Sequence, residues 1–116
     1  MKTLIILNDP PYGTERSYNG LRLAGVFAKR TDQSVRVFLI GDAAACAKQG
    51  QSTPPGYYNL GRMLQVVTGH RGEVGVCGSC MDARGVKDVE LLDGTRRSNL
   101  EELADWVVWA DHLLVF

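Results

Sequence analysis

The sequence predicts an α/β fold, a three-layer sandwich around a mostly parallel, flavodoxin-like sheet of about five strands. Three observations lead there. Short apolar runs rich in Val, Ile and Leu recur along the chain, and turn formers such as Gly, Pro, Asn and Asp punctuate them. Stretches with apolar residues at helical spacing stand between these runs. Strands that alternate with helices connect by right-handed crossovers, which makes the strands parallel and covers both faces of the sheet.

Thr3 to Leu7 reads as a buried strand, ended by the turn-rich loop Asn8-Asp-Pro-Pro-Tyr-Gly13. Thr14 is placed to cap a helix to about Arg30, with Leu23, Ala24, Phe27 and Ala28 on its buried face. Val35 to Ile40 is the second strand, closed by Gly41-Asp42, and Ala43 to Lys48 is a short helical piece. Gln49 to Gly56 is polar, holds Pro54-Pro55 and is expected to be a mobile loop. Asn59 to Thr68 predicts a helix through Leu60, Met63, Leu64 and Val67, and Gly69 follows its end. Glu73 to Val76 is the third strand. Val86 to Arg97 fits either a helical turn from Asp88 or a short strand. Ser98-Asn-Leu-Glu101 has capping-box spacing and opens a helix to about Ala110, and His112 to Phe116 is the last strand.

At 116 residues the chain is one domain, 1–116, with enough length for a core of its own. Thirteen basic and thirteen acidic residues cancel, which removes the charge excess that nucleic acid or an anionic membrane would select. The apolar runs are too short to span a bilayer. Met1-Lys2 leads directly into the first strand without a signal-like apolar region, so the expected location is cytoplasmic. Three cysteines, two of them three residues apart, do not form a disulfide framework. Reduced, chemically active thiols fit better.

The chemistry concentrates in Cys77-Gly-Ser-Cys80-Met-Asp-Ala-Arg84-Gly85, which follows the third strand and begins a helix. A thiol at a helix N-terminus is biased toward thiolate, the reactive form of cysteine. Ligands of open parallel sheets bind at the carboxyl ends of the strands. Those ends carry Cys77 and Cys80, the loop with Asn8, Asp9 and Tyr12, and Asp42. Arg84 joins them as a candidate for holding a substrate or anion. His70 and His112 belong near the opposite edge, which argues against a Cys–His catalytic pair. Cys46, inside Ala43-Ala-Ala-Cys46-Ala, reads as a buried apolar residue. A thioredoxin-like dithiol is a rival reading of Cys-x-x-Cys, although no aromatic residue precedes Cys77. Zinc is a weaker rival, since one Cys-x-x-Cys supplies only two ligands, and no cofactor is called for. No glycine-rich nucleotide loop follows the first strand.

The stretch from Val74 to Gly85, with the strand and helix order around it, resembles the DsrE/DsrF-like (YchN-like) sulfur-relay family. The specific part is a cysteine at the strand end with Arg84-Gly85 seven and eight residues later. The resemblance implies a small sulfurtransferase-type protein whose Cys77 holds a persulfide and passes its sulfur to an acceptor thiol. Cys80, one helical turn on, is placed to resolve that persulfide by pairing with Cys77. The resemblance further implies homotrimers or homohexamers, with donor and acceptor proteins as partners. A non-catalytic oligomeric binding protein, or a dithiol redox protein using Cys77 and Cys80, are the alternatives. In the last helix, Leu100, Leu103, Ala104 and Val107 form the expected core stripe. Trp109 then falls on the polar face, where it suggests a subunit contact.

Overall fold

The four apolar runs and one polar segment become five strands in a computed structural model that describes all residues, 1–116. They are β1 (Lys2–Leu7), β2 (Ser34–Leu39), β3 (Glu73–Cys77), β4 (Thr95–Ser98) and β5 (His112–Val115). All neighbouring pairs are parallel, in the order β4-β3-β2-β1-β5. The helices are α1 (Arg16–Ala28), α2 (Leu60–Gly69), α3 (Gly78–Ala83) and α4 (Leu100–Trp109), with 3-10 segments at Gly41–Ala47 and Asp88–Glu90. None is long and apolar enough to cross a membrane.

The order explains the layers. From β1 to β4 the chain steps always the same way across the sheet. Crossovers of one hand then stack α1, the Gly41–Ala47 segment, α2 and α3 on one face. From β4 the chain returns across the whole sheet to β5, beside β1, so α4 alone covers the other face. Ile5, Leu7, Val37, Leu39, Val74 and Val76 point into the first and larger core. Leu4, Phe38, Cys77 and Trp106 make the second. The alternation of strand side chains divides the two sets.

Several local expectations change. Thr14 does not cap α1: its hydroxyl donates to Asp9 at 2.8 Å, and the helix starts at Arg16. The buried face of α1 is Ser17, Gly20, Leu21, Ala24 and Ala28, while Leu23 and Phe27 are half-buried. Gly20 faces the sheet closely: a Cβ there would lie 2.4 Å from a Leu7 methyl, so a larger residue would displace the buried Leu7 side chain. The cap of α4 is Asn99, whose side chain accepts from the Glu102 N–H at 2.9 Å, one residue later than the expected Ser98. Ser98 instead donates to the Glu102 carboxylate. The ambiguous Val86–Arg97 stretch holds both a 3-10 turn and strand β4.

The core stripe of α4 also differs. Leu100 is 60% exposed and Val107 41%, while Trp106 is the buried residue. Trp106 meets Phe38 edge to face at 6.1 Å and lies over Gly75, whose missing side chain makes room for the indole. Trp109 is half-buried, with the Arg36 guanidinium 4.0 Å over its ring, so it is not the exposed contact that helical spacing implied. Two indoles bury more apolar area than the Leu and Val residues of the opposite side, and they turn the helix. The Gln49–Gly56 loop is anchored as well. The Gln51 side chain donates to the Cys46 and Lys48 carbonyls and accepts from the Tyr12 hydroxyl at 2.6 Å.

Candidate functional site

β3 runs into α3 without a connecting loop: Cys77 is the last strand residue and Gly78 the first helical one. The strand pleat turns the Cys77 side chain toward the α4 side, among Leu4, Phe38 and Trp106. Cys80 lies one turn later, and a helical turn returns its side chain over the strand end. The two sulfurs are 2.7 Å apart, with Cys80 donating to Cys77, and both are free thiols. A bonded disulfide is about 2.05 Å, so little motion separates this pair from one. The Ser79 hydroxyl lies 3.4 Å from the Cys77 sulfur. The Gly41 N–H, from the loop after β2, donates to the Cys80 sulfur at 3.1 Å.

These contacts make the two thiols unequal. Burial pushes the Cys77 thiol up, but hydrogen bonds from the Cys80 thiol, the Ser79 hydroxyl and the N–H groups of Cys80 and Ser79 outweigh it and hold it below its ordinary value. Cys80 is held above its ordinary value. Burial raises it, its hydrogen bond to Cys77 retains the proton, and a Cys77 thiolate repels a second charge; the Gly41 N–H and Arg84 oppose this only in part. The pair therefore stores its charge on Cys77 and its proton on Cys80. The third cysteine, Cys46, is fully buried, and burial pushes its thiol up to about 12, so it stays protonated.

Cys77 is only 3% exposed, yet it lines an open cavity of about 640 Å³ together with Ser79, Arg97, Ser98, Asn99 and Leu100. Cys80 is half-buried and is not part of that wall. The cavity lies where the ends of β3 and β4 meet the start of α4, because the parallel register sets Ser98 beside Cys77. Arg97 is held at its edge by Asp82, at 2.7 and 2.9 Å, and by Asp88. Its guanidinium lies against Gly78, where a Cβ would approach it to 2.7 Å.

The sequence candidates divide into two groups. Cys77 and Cys80 meet directly, and Asp42 and Arg84 flank them. Arg84 donates through Nε and Nη2 to one Asp42 oxygen at 3.0 and 2.7 Å, and through Nη1 to the Cys80 carbonyl at 3.1 Å. It therefore fastens α3 to the loop after β2 instead of reaching a sulfur. Asn8, Asp9 and Tyr12 are engaged elsewhere. Asn8 hydrogen-bonds the Phe116 carbonyl, closing the β1–β5 edge. Asp9 accepts from Thr14 and, through its carbonyl, from Ser17. The Tyr12 hydroxyl joins Gln51 to the Leu60 N–H. His70 follows α2 and His112 opens β5, both at the amino-terminal edge of the sheet. No three His, Cys, Asp or Glu residues converge as metal ligands.

Arg97, Ser98 and Asn99 were not legible as site residues. Thr95-Arg-Arg-Ser98 carries no apolar alternation, and without β4 nothing set these residues beside Cys77. Gly41 gave only a turn signal; its positive φ of 59° aims its N–H at Cys80.

Fold and site define a parallel α/β protein with an asymmetric dithiol at a strand end. The DsrE/DsrF-like family model matches residues 1–116, and the chain belongs to that family. Protein YchN of Escherichia coli strain K12 is 37% identical over 116 residues, 99% of this chain and 98% of YchN. The crystal structure of ychN protein from E. coli matches with a TM-score of 0.89 at 36% identity and covers 100% of both chains. MTH1491, a protein of unknown function from Methanobacterium thermoautotrophicum, matches with a TM-score of 0.76 at 11% identity over 99% of this chain and 98% of its own, a likeness of fold.

Proposed function

We propose that this chain is a cytoplasmic sulfur-relay-type protein that takes up sulfane sulfur as a persulfide on Cys77 and yields it to an acceptor thiol. The observation that carries this reading is the Cys77 sulfur on the wall of an open cavity, with the Cys80 thiol at 2.7 Å and the Ser79 hydroxyl at 3.4 Å beside it. A thiolate attacks the outer sulfur of a donor persulfide, and the donor thiol leaves. With Cys77 3% exposed, the donor and acceptor groups that reach it are small or slender. Family membership supports the same chemistry. Isotopically labelled polysulfide tests it. With Cys80 changed to Ala, the protein is expected to retain label through gel filtration, a thiol acceptor is expected to remove it, and adding Cys77→Ser abolishes retention. Equal retention with Cys77→Ser added contradicts the reading.

We also propose self-association into a homotrimer or homohexamer. Leu100, Val107 and Val108 on α4, with Leu113 and Val115 on β5, leave apolar side chains 41–87% exposed on the α4 side of the sheet. A patch so rich in large apolar groups favours burial against a partner. A second copy offers the same surface. Leu100 also lines the Cys77 cavity, so a neighbour seated there would border the site.

A further inference from the structure

The placement of the two sulfurs relative to the cavity decides which of them can leave. We infer that Cys80 resolves a persulfide on Cys77 that no external thiol has taken: it attacks the inner sulfur, releasing the outer one as sulfide and leaving a Cys77–Cys80 disulfide. This rests on Cys77 being the persulfide carrier, and it concerns the fate of the loaded sulfur.

The open space beside Cys77 is the cavity walled by Ser79, Arg97, Ser98, Asn99 and Leu100, and Cys80 is absent from that wall. A persulfide extending into the cavity points its outer sulfur away from Cys80. The Cys80 sulfur, 2.7 Å from the Cys77 sulfur and outside the cavity wall, is then next to the inner sulfur. Sulfur–sulfur exchange proceeds by attack in line with the bond that breaks, and the inner sulfur is the one within reach of Cys80. Attack on the outer sulfur would instead require Cys80 to reach past Cys77 into the cavity. Two further contacts hold the attacking group in place: the Gly41 N–H supports the Cys80 sulfur at 3.1 Å as its proton leaves, and Arg84 ties the Cys80 carbonyl to Asp42.

The step balances as Cys77–S–S⁻ plus Cys80–SH giving the Cys77–Cys80 disulfide plus HS⁻. The new bond joins the two cysteine sulfurs, and the bond to the outer sulfur breaks. The two electrons that the cysteine pair loses reduce the outer sulfur to sulfide, and the Cys80 proton departs with it. A dithiol reductant must then return the pair to thiols. The product of this branch is thus sulfide, and the branch consumes reducing equivalents.

The test loads wild type, Cys80→Ala and Cys80→Ser with inorganic polysulfide without reductant, removes the excess by desalting, and follows intact mass while trapping sulfide with monobromobimane. Circular dichroism checks that the variants are folded. Wild type is expected to lose its adduct at a rate independent of protein concentration, release one sulfide per disulfide formed, and show a Cys77–Cys80 linkage in a non-reduced peptide map. Proximity predicts an adduct lifetime at least about tenfold longer in both variants. Equal adduct lifetimes in wild type and variants, or a disulfide formed without sulfide, overturn this inference and leave the carrier intact. Folded variants that take up no sulfur on Cys77 overturn both.

Discussion

Cys77 and Cys80 are the same residue type three positions apart, and their surroundings give them opposite tasks. Hydrogen bonds from the Cys80 thiol and the Ser79 hydroxyl favour the charged form of Cys77; Cys80 spends its proton on Cys77 and keeps it. This asymmetry has a pH signature. Cys77 alkylation by iodoacetamide is expected to rise through a midpoint below the ordinary thiol value of about 8.5. In Cys80→Ala the first of the opposing hydrogen bonds is lost while burial remains, so the midpoint shifts upward. A midpoint unmoved by Cys80→Ala contradicts this account of the pair. That the two cysteines meet at the end of β3 was legible from their spacing and position, because a strand end that opens a helix is where parallel sheets bind ligands. The fates of Asp9, Tyr12 and Arg84 were not. Each sits on the expected rim, but short-range hydrogen bonds to Thr14, Gln51 and Asp42 claim their polar atoms. Such pairings depend on loop conformation, which a single sequence does not encode in any periodic pattern.

At the scale of elements, strongly periodic segments were readable and two kinds of element were not. α2 follows its pattern, with Leu60, Leu64 and Val67 buried. β4 escapes because an edge strand of polar residues shows no alternation, and it carries Arg97 and Ser98 into the site. α4 was assigned its correct extent and the wrong face, since counting apolar positions treats every apolar residue alike. Packing weighs them by area, and Trp106 over Gly75 and Phe38 prevails. Trp106→Ala is therefore expected to destabilise the fold by about 3–5 kcal/mol in urea unfolding, while Val108→Ala, at a position 87% exposed, changes the isolated chain by less than about 0.5 kcal/mol. Comparable losses at both positions in dilute monomer would mean that α4 packs by the other face.

For the whole molecule, the return of the chain across the sheet leaves one face covered by a single ten-residue helix. The exposed patch of α4 and β5 follows from that topology, and so does the cavity at the start of α4. Val108→Asp is expected to reduce the mass measured by light scattering toward that of one chain, with helix content retained; an unchanged mass contradicts assembly through this face. Sulfur chemistry at Cys77 is the central claim, and its most direct test is the Cys80→Ala protein exposed to polysulfide and read by intact mass with peptide mapping. The account predicts one added sulfur per chain, located on Cys77. A folded protein that remains unmodified at Cys77 would contradict it.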